Sequence, residues 1–169
     1  MLFCDVASAF WFLFLRERSE QRHESVMVVL VDTREQLAVT FPKAVKVRRV
    51  TLPFGDYAAE TDAGQRFPVV WERKSLPDLF STMTSNYPRF KMELLAAQEA
   101  NVQLLLGIEG TLTDVLEGVP YSDFAGESCV RKVMTLWVRY GLRPVFCCNR
   151  RELAQQIVGL FAAIERGYQ

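Results

Sequence analysis

Pro68-Val69-Val70-Trp71-Glu72-Arg73-Lys74 is the stretch on which the fold of this chain turns. Its first half is apolar and aromatic, as a buried strand requires, and its second half is three charged residues in succession. Upstream, Gly55-Asp56 opens another strand-like stretch, and Asp78 lies four residues beyond the lysine. Residues 56–60 and 67–74 flank Thr61-Asp62-Ala63-Gly64-Gln65, a polar segment with the glycine expected of a hairpin turn. Such a hairpin brings Asp56 beside Glu72.

The chemistry of that meeting is specific. Residues two apart on a strand share a face, so Glu72 and Lys74 point one way and Arg73 the other. A phosphodiester is anionic and repels hydroxide. Mg2+ is a hard, oxygen-binding ion, held through one or two carboxylates together with water and substrate phosphate. Once bound it neutralises developing charge and lowers the pKa of a bound water. Asp56 and Glu72 on adjacent strands can hold such an ion. Lys74 then orients or helps deprotonate the attacking water, or balances charge on the phosphate. Arg73 suits a structural ion pair or a distant phosphate. An isolated Glu-Arg-Lys is ordinarily a solvated surface run. This one closes a strand expected to be buried, in the company of Gly55-Asp56 and Asp78.

Gly-Asp, a variable gap, Glu-Arg-Lys, three residues and Asp is the signature of the XPF-type structure-specific endonucleases, and this chain resembles that family at Gly55, Asp56, Glu72, Arg73, Lys74 and Asp78. Val29-Leu30-Val31-Asp32-Thr33-Arg34-Glu35 looks like the family's opening strand, which ends in Asp-x-Arg-Glu. Arg89-Phe90 looks like its arginine-aromatic pair, although Glu93 stands where the family often has glutamine. Residues 130–164 read like its last helix-strand-helix, so the likeness covers about residues 26–168. The resemblance implies an α/β, restriction-endonuclease-like fold: a central mixed sheet flanked by helices. It implies Mg2+- or Mn2+-dependent cleavage of DNA near branch points. By position it makes Asp32, Asp56, Glu72 and Lys74 catalytic or metal-linked, with Asp56 and Glu72 the metal ligands. Glu35, Arg73, Asp78 and Arg89 would support them.

The whole chain sets wider bounds. At 169 residues, half of them apolar and 24% charged, it is expected to be one soluble domain with a sizeable core. Twenty basic residues balance twenty acidic ones, so net charge gives no support for nucleic-acid binding, though a local groove can still be basic. Cys4, Cys129, Cys147 and Cys148 form no Cys-x-x-Cys pair and His23 is not near them, which argues against zinc. The adjacent cysteines are expected to be small core residues in a reducing compartment. Residues 1–15 are apolar and aromatic but too short for a membrane span, and no basic n-region precedes them. Residues 1–25 are therefore an appendage to a nuclease domain at 26–169, from an upstream start or as an amphipathic helix that docks on a partner. With no secretion signal, a cytoplasmic, nucleoid-associated location is expected in a prokaryotic or viral setting.

Along the chain, residues 26–31 form a continuous apolar run suited to a central strand. Residues 45–52 carry Lys46, Arg48 and Arg49, either a solvated strand face or a contact with the DNA backbone. Ser75-x-x-Asp78, with Pro77, opens a helix, so Asp78 is a cap or a participant in catalysis. Residues 82–88 are expected to be a mobile loop, 89–100 a helix, and 102–108 a buried strand. Residues 107–119 are expected to be irregular, with one helical turn. Helix 127–140 stops at Gly141, strand 143–148 follows, and helix 151–166 closes the chain with Leu153, Ile157, Leu160, Phe161 and Ile164 on one face. Trp71, Trp137, Phe146 and Phe161 are expected in the core.

Three functions fit these residues. The first is a metal-dependent endonuclease acting on branched or flapped duplex DNA. The second is a restriction- or resolvase-like nuclease of different substrate geometry. The third is a nuclease-shaped module that binds DNA or a partner without cutting. The intact Asp56, Glu72 and Lys74 argue against the third. Relatives by resemblance often carry helix-hairpin-helix modules, and this chain has none. A homodimer through the C-terminal helices, or a targeting subunit, is therefore expected to supply the rest of the grip on DNA.

Overall fold

The structure, a computed structural model, describes residues 27–120 and 122–167. The expected appendage, Cys4 and His23 lie outside the described residues. Six strands, β1 (Met27–Asp32), β2 (Lys46–Val50), β3 (Tyr57–Thr61), β4 (Val69–Ser75), β5 (Gln103–Glu109) and β6 (Arg143–Cys147), join in one sheet. Its order is β2-β1-β3-β4-β5-β6. Helices α1 (Leu76–Met83), α2 (Tyr87–Glu99), α3 (Leu112–Glu117), α4 (Gly126–Tyr140) and α5 (Arg150–Gly167) cover it. β3 runs antiparallel to both β1 and β4, while the remaining pairs are parallel. The sheet is thus mixed, with β3 as its one reversed strand among the described residues.

Strand alternation explains the two cores. Leu30, Ala58, Val70, Leu106 and Ile108 point to one face, where Leu79 and Phe80 of α1, Phe90 and Leu94 of α2 and Val133 and Leu136 of α4 meet them. Val29, Val31, Tyr57, Trp71 and Leu105 point to the other, against Leu153, Ile157 and Phe161 of α5. A sheet covered on both faces needs nearly continuous apolar strands, and the Val-Val-Leu-Val and Leu-Leu-Leu runs of β1 and β5 supply them. Each large side chain buried this way contributes about 1.5–3 kcal/mol. The connection from β1 to β2 has no helix. It packs Val39 and Phe41 on the second core, and Tyr57 Oη accepts from the Val39 N–H at 3.0 Å.

Local sequence sets the boundaries. Ser75, with extended backbone, caps α1, and Pro77 sits in its first turn, where a missing N–H costs nothing. Gly141 ends α4 in the left-handed conformation at φ +63, its N–H donating to the Trp137 carbonyl at 2.9 Å.

Several expectations need correction. Residues 82–88 are not a loop: Thr82 and buried Met83 finish α1, and Tyr87-Pro88 begin α2. Residues 107–119 are not irregular, because β5 continues to Glu109 and the capping box of Thr111 and Asp114 starts a further helix. Trp137 is 50% exposed, not core, because α4 buries Cys129, Val133 and Leu136, and Trp137 is turned beyond that stripe. Cys147 is buried, but Cys148 lies past the end of β6 and is exposed.

Candidate active site

β1 and β4 end at the edge of the sheet where β3 begins. Asp32, Asp56 and the Glu72–Lys74 segment therefore arrive together from three adjacent strands. Asp32, Asp56 and Glu72, with Arg34 and Glu35 from the loop after β1 and Arg89 and Glu93 from α2, line a depression of about 320 Å3.

Gly55 makes the approach possible. Its φ is +63, and a Cβ there would stand 2.7 Å from the Trp71 carbonyl oxygen, closer than side chains come. With no side chain in the way, the Asp56 N–H donates to that carbonyl at 2.7 Å. The Asp56 carboxylate then accepts from the Arg73 N–H, also at 2.7 Å. An aspartate side chain thus takes over a β4 backbone donor just outside the β3–β4 ladder, and it faces Glu72 across the strands.

Glu72 is buried, and Lys74 Nζ donates to its Oε1 at 2.5 Å. Burial pushes the Asp56 carboxyl up to about 6 and the Glu72 carboxyl up to about 7, and for Glu72 the charge of Asp56 adds to the effect. Glu93 raises Glu72 further. Burial works against the Lys74 ammonium, but the charge and hydrogen bond of Glu72 outweigh it, so its pKa rises. Lys74 is a held cation, not a free base. Its ammonium also lies 5.9 Å from the centre of the Phe90 ring.

Trp71 and Arg73 alternate to the α5 face. The Arg73 guanidinium is buried between Glu35, at 3.3 Å, and Glu109, at 3.1 Å. Burial opposes its charge, and the hydrogen bond and charge of Glu35, with Glu109, outweigh that cost and raise its pKa. Arg73 is therefore the structural ion pair that alternation allowed. Asp32, 1% exposed, accepts from the Arg34 N–H and Nε, both at 2.7 Å, and from the Leu52 N–H at 2.6 Å. Chiefly through the Arg34 side chain, its carboxyl is held down at about 2. It anchors the loop at the rim of the depression with both oxygens engaged.

The remaining candidates fall outside this group or at its margin. Asp78 accepts from Ser75 Oγ at 2.6 Å and belongs to the cap of α1. Arg89 is exposed on the rim. Lys46 pairs with Asp62 at 3.1 Å and Arg48 with Glu60 at 2.5 Å, while Arg49 donates to the Glu35 carbonyl at 2.7 Å. None of these three lines the depression. Sequence reasoning did not assign roles to Arg34, Glu93, Glu109 and Arg150. For Arg34 the signal was present, two residues after Asp32. For Glu109 and Arg150, 36 and 41 positions from their respective partners, there was none.

Among the described residues, no three His, Cys, Asp or Glu side chains stand close enough to hold a metal ion. Asp56 and Glu72 still fit a hard cation. They are two facing carboxylates whose ionisation is opposed by burial and, at Glu72, by the neighbouring charge, and a divalent ion relieves both.

A mixed sheet covered on both faces, with two carboxylates and a lysine where reversed and forward strands meet, defines a restriction-endonuclease-like α/β protein. The chain belongs to the ERCC4-domain family, whose model matches residues 31–160, and this is a family of nucleases. Among solved structures it is similar to XPF from Aeropyrum pernix, at 22% identity and a TM-score of 0.62, covering 82% of this chain and 65% of that one. It is similar also to XPF from Aeropyrum pernix in complex with DNA, at 22% identity and a TM-score of 0.61, covering 84% and 66%. The chain thus spans just under two thirds of the length of those solved chains. No curated protein sequence matches it.

Proposed function

We propose that this chain is a divalent-metal-dependent endonuclease that cuts DNA at branched or flapped sites in repair or recombination. The observation that carries this reading is the facing pair of Asp56 and Glu72, both raised above the ordinary carboxylate range by burial, with Lys74 on Glu72. Asp56 and Glu72 would hold Mg2+ or Mn2+, which when bound polarises a phosphoryl oxygen and makes bound water more acidic. Lys74, held protonated, offers positive charge and a donor to the phosphate or the attacking water. Arg89, exposed on the rim, meets the backbone of the strand entering the depression. From behind β4, the Glu35–Arg73–Glu109 ion pairs fix the strand that carries Glu72. For a prokaryotic or viral setting we propose a cytoplasmic, nucleoid-associated location, where a DNA substrate would be met.

Partnership follows from the surface. Trp137 and Val138 of α4 are 50% and 85% exposed, an apolar face that a second copy of the chain, or a targeting subunit, would cover. Light scattering at micromolar concentration tests the homodimer, and a monomeric mass overturns it.

Cleavage is tested with labelled flap, fork, Holliday-junction and linear substrates, with and without Mg2+ or Mn2+. Asp56→Asn and Glu72→Gln should each abolish cutting while the protein stays folded. Lys74→Ala should slow it by about 100- to 1000-fold with a smaller loss of DNA affinity. Cutting at the wild-type rate by either carboxylate variant overturns the assignment.

A further inference from the structure

A second depression lies on the opposite face of the sheet, between the loop after β1 and the start of α5. Its volume is about 580 Å3, and Thr40, Phe41, Pro42, Arg150, Arg151 and Gln155 are among the residues that line it. Its walls differ in chemistry: an aromatic ring and a proline on one side, two guanidiniums and an amide on the other. Phe41 is half-buried and held edge-on against Tyr57, with ring centroids 5.8 Å apart and planes at 78°. The ring's orientation is fixed by that contact. Arg150 is committed to Glu109 at 2.9 Å. Arg151 is exposed and makes no ion pair or hydrogen bond among the described residues. A cation without a partner, beside an ordered aromatic ring, is free to receive an anion carrying a flat group.

The position of this depression connects it to the first. Arg150 holds Glu109, Glu109 holds Arg73 at 3.1 Å, and Arg73 holds Glu35 at 3.3 Å. Glu35 lines the carboxylate depression. That chain of ion pairs passes from one depression to the other at the ends of β4 and β5.

We infer that this cavity binds an unpaired nucleotide of the DNA substrate, with its phosphate on Arg151 and its base against Phe41. The identity of the ligand rests on the nuclease reading above. The volume suits one nucleotide, since small-ligand pockets run from about 300 to 1000 Å3. An unpaired nucleotide is required because duplex bases are already stacked and offer only their edges, whereas a ring in a pocket needs a free π-face. A strand branching from a duplex supplies one next to the point of cleavage.

The test is fluorescence anisotropy with the full chain and no divalent metal, using a labelled duplex that bears a single-stranded arm and the same duplex made blunt. Arg151→Gln and Phe41→Leu should each weaken binding of the armed duplex by about 5-fold or more, while blunt-duplex binding moves by less than about 2-fold. Arg151→Gln should also flatten the salt dependence of armed-duplex binding by about 0.7 in slope. Phe41→Leu keeps apolar packing against Tyr57, and Arg151 is exposed, so at least the arginine variant reports on a folded protein. Equal losses on both substrates, or none on the armed one, overturn the proposal. Anisotropy does not depend on cutting, so an inactive wild type would count against the nuclease reading and leave this measurement to stand alone.

Discussion

Glutamine at position 72 keeps the shape of the native side chain and removes its charge, which makes it a probe of how the site opposes the fold. The Glu72 carboxyl is raised from 4.5 to about 7, mainly by burial and then by Asp56. A carboxyl raised in the folded state contributes stability below its unfolded value and loses it as pH climbs through the folded one. The metal-free wild type should therefore weaken between about pH 4.5 and pH 8, by about 3 kcal/mol through Glu72. Glu72→Gln resembles the protonated glutamate at every pH and escapes that loss. At pH 8 with chelator present it should be about 3 kcal/mol more stable than the wild type, which at a urea slope of about 2 kcal/mol per molar raises the midpoint by about 1.5 M. At pH 5, where the unfolded glutamate is already mostly ionised, the difference should shrink to about 0.8 kcal/mol. Mg2+ at about 100 times its Kd should nearly close the gap at pH 8, since it stabilises the wild type by about 2.7 kcal/mol and the variant has lost a ligand. Urea titrations followed by tryptophan fluorescence suit the measurement because Trp71 is buried. A variant no more stable than the wild type at pH 8, or a difference that persists unchanged at pH 5, refutes the reasoning.

Arg73→Met should cost about 3–5 kcal/mol in urea titrations, because it leaves buried Glu35 without a cation, while partly buried Glu109 keeps Arg150. A loss below about 1 kcal/mol would mean that Glu35 finds another partner. Gly55→Ala should cost at least about 2 kcal/mol and suppress cleavage, since the left-handed φ and the Trp71 carbonyl at 2.7 Å both exclude a methyl group. Unchanged thermal stability would show that the turn can adopt another path. Ser75→Ala should lower stability by about 1 kcal/mol by uncapping α1, with a thermal shift as the readout, and should leave metal-dependent cleavage in place.

The pair at the heart of the site was legible because strand alternation is a local rule. Val70 to one core and Trp71 to the other dictates that Glu72 and Lys74 share a face and that Arg73 opposes them, and the hairpin delivers Asp56. The two-layer burial of β1 and β5 was legible for the same reason, in their unbroken apolar runs. What was hidden is what no period encodes. Glu109 comes to Arg73, and Arg150 to Glu109, from strand and helix ends far along the chain, placed by the parallel order of β4, β5 and β6. Composition and residue type misled in two places. Residues 82–88 look like a loop by composition, yet helix caps on each side leave only a tight link between α1 and α2. Trp137 looks like core by residue type, but a single position along α4 carries it past the buried stripe.

β3 runs against its neighbours, so the turn that joins it to β4 lies at the edge of the sheet away from Asp56 and Glu72. In that turn the Gly64 N–H donates to the Thr61 carbonyl at 2.8 Å, and Arg66 bridges back to Glu60. Residues added or removed there lengthen or shorten a surface hairpin without disturbing which residue faces which at the other end. The distance in sequence between Asp56 and Glu72 is thereby free to drift while their distance in space is not. A motif with rigid halves and an elastic middle is what this topology permits.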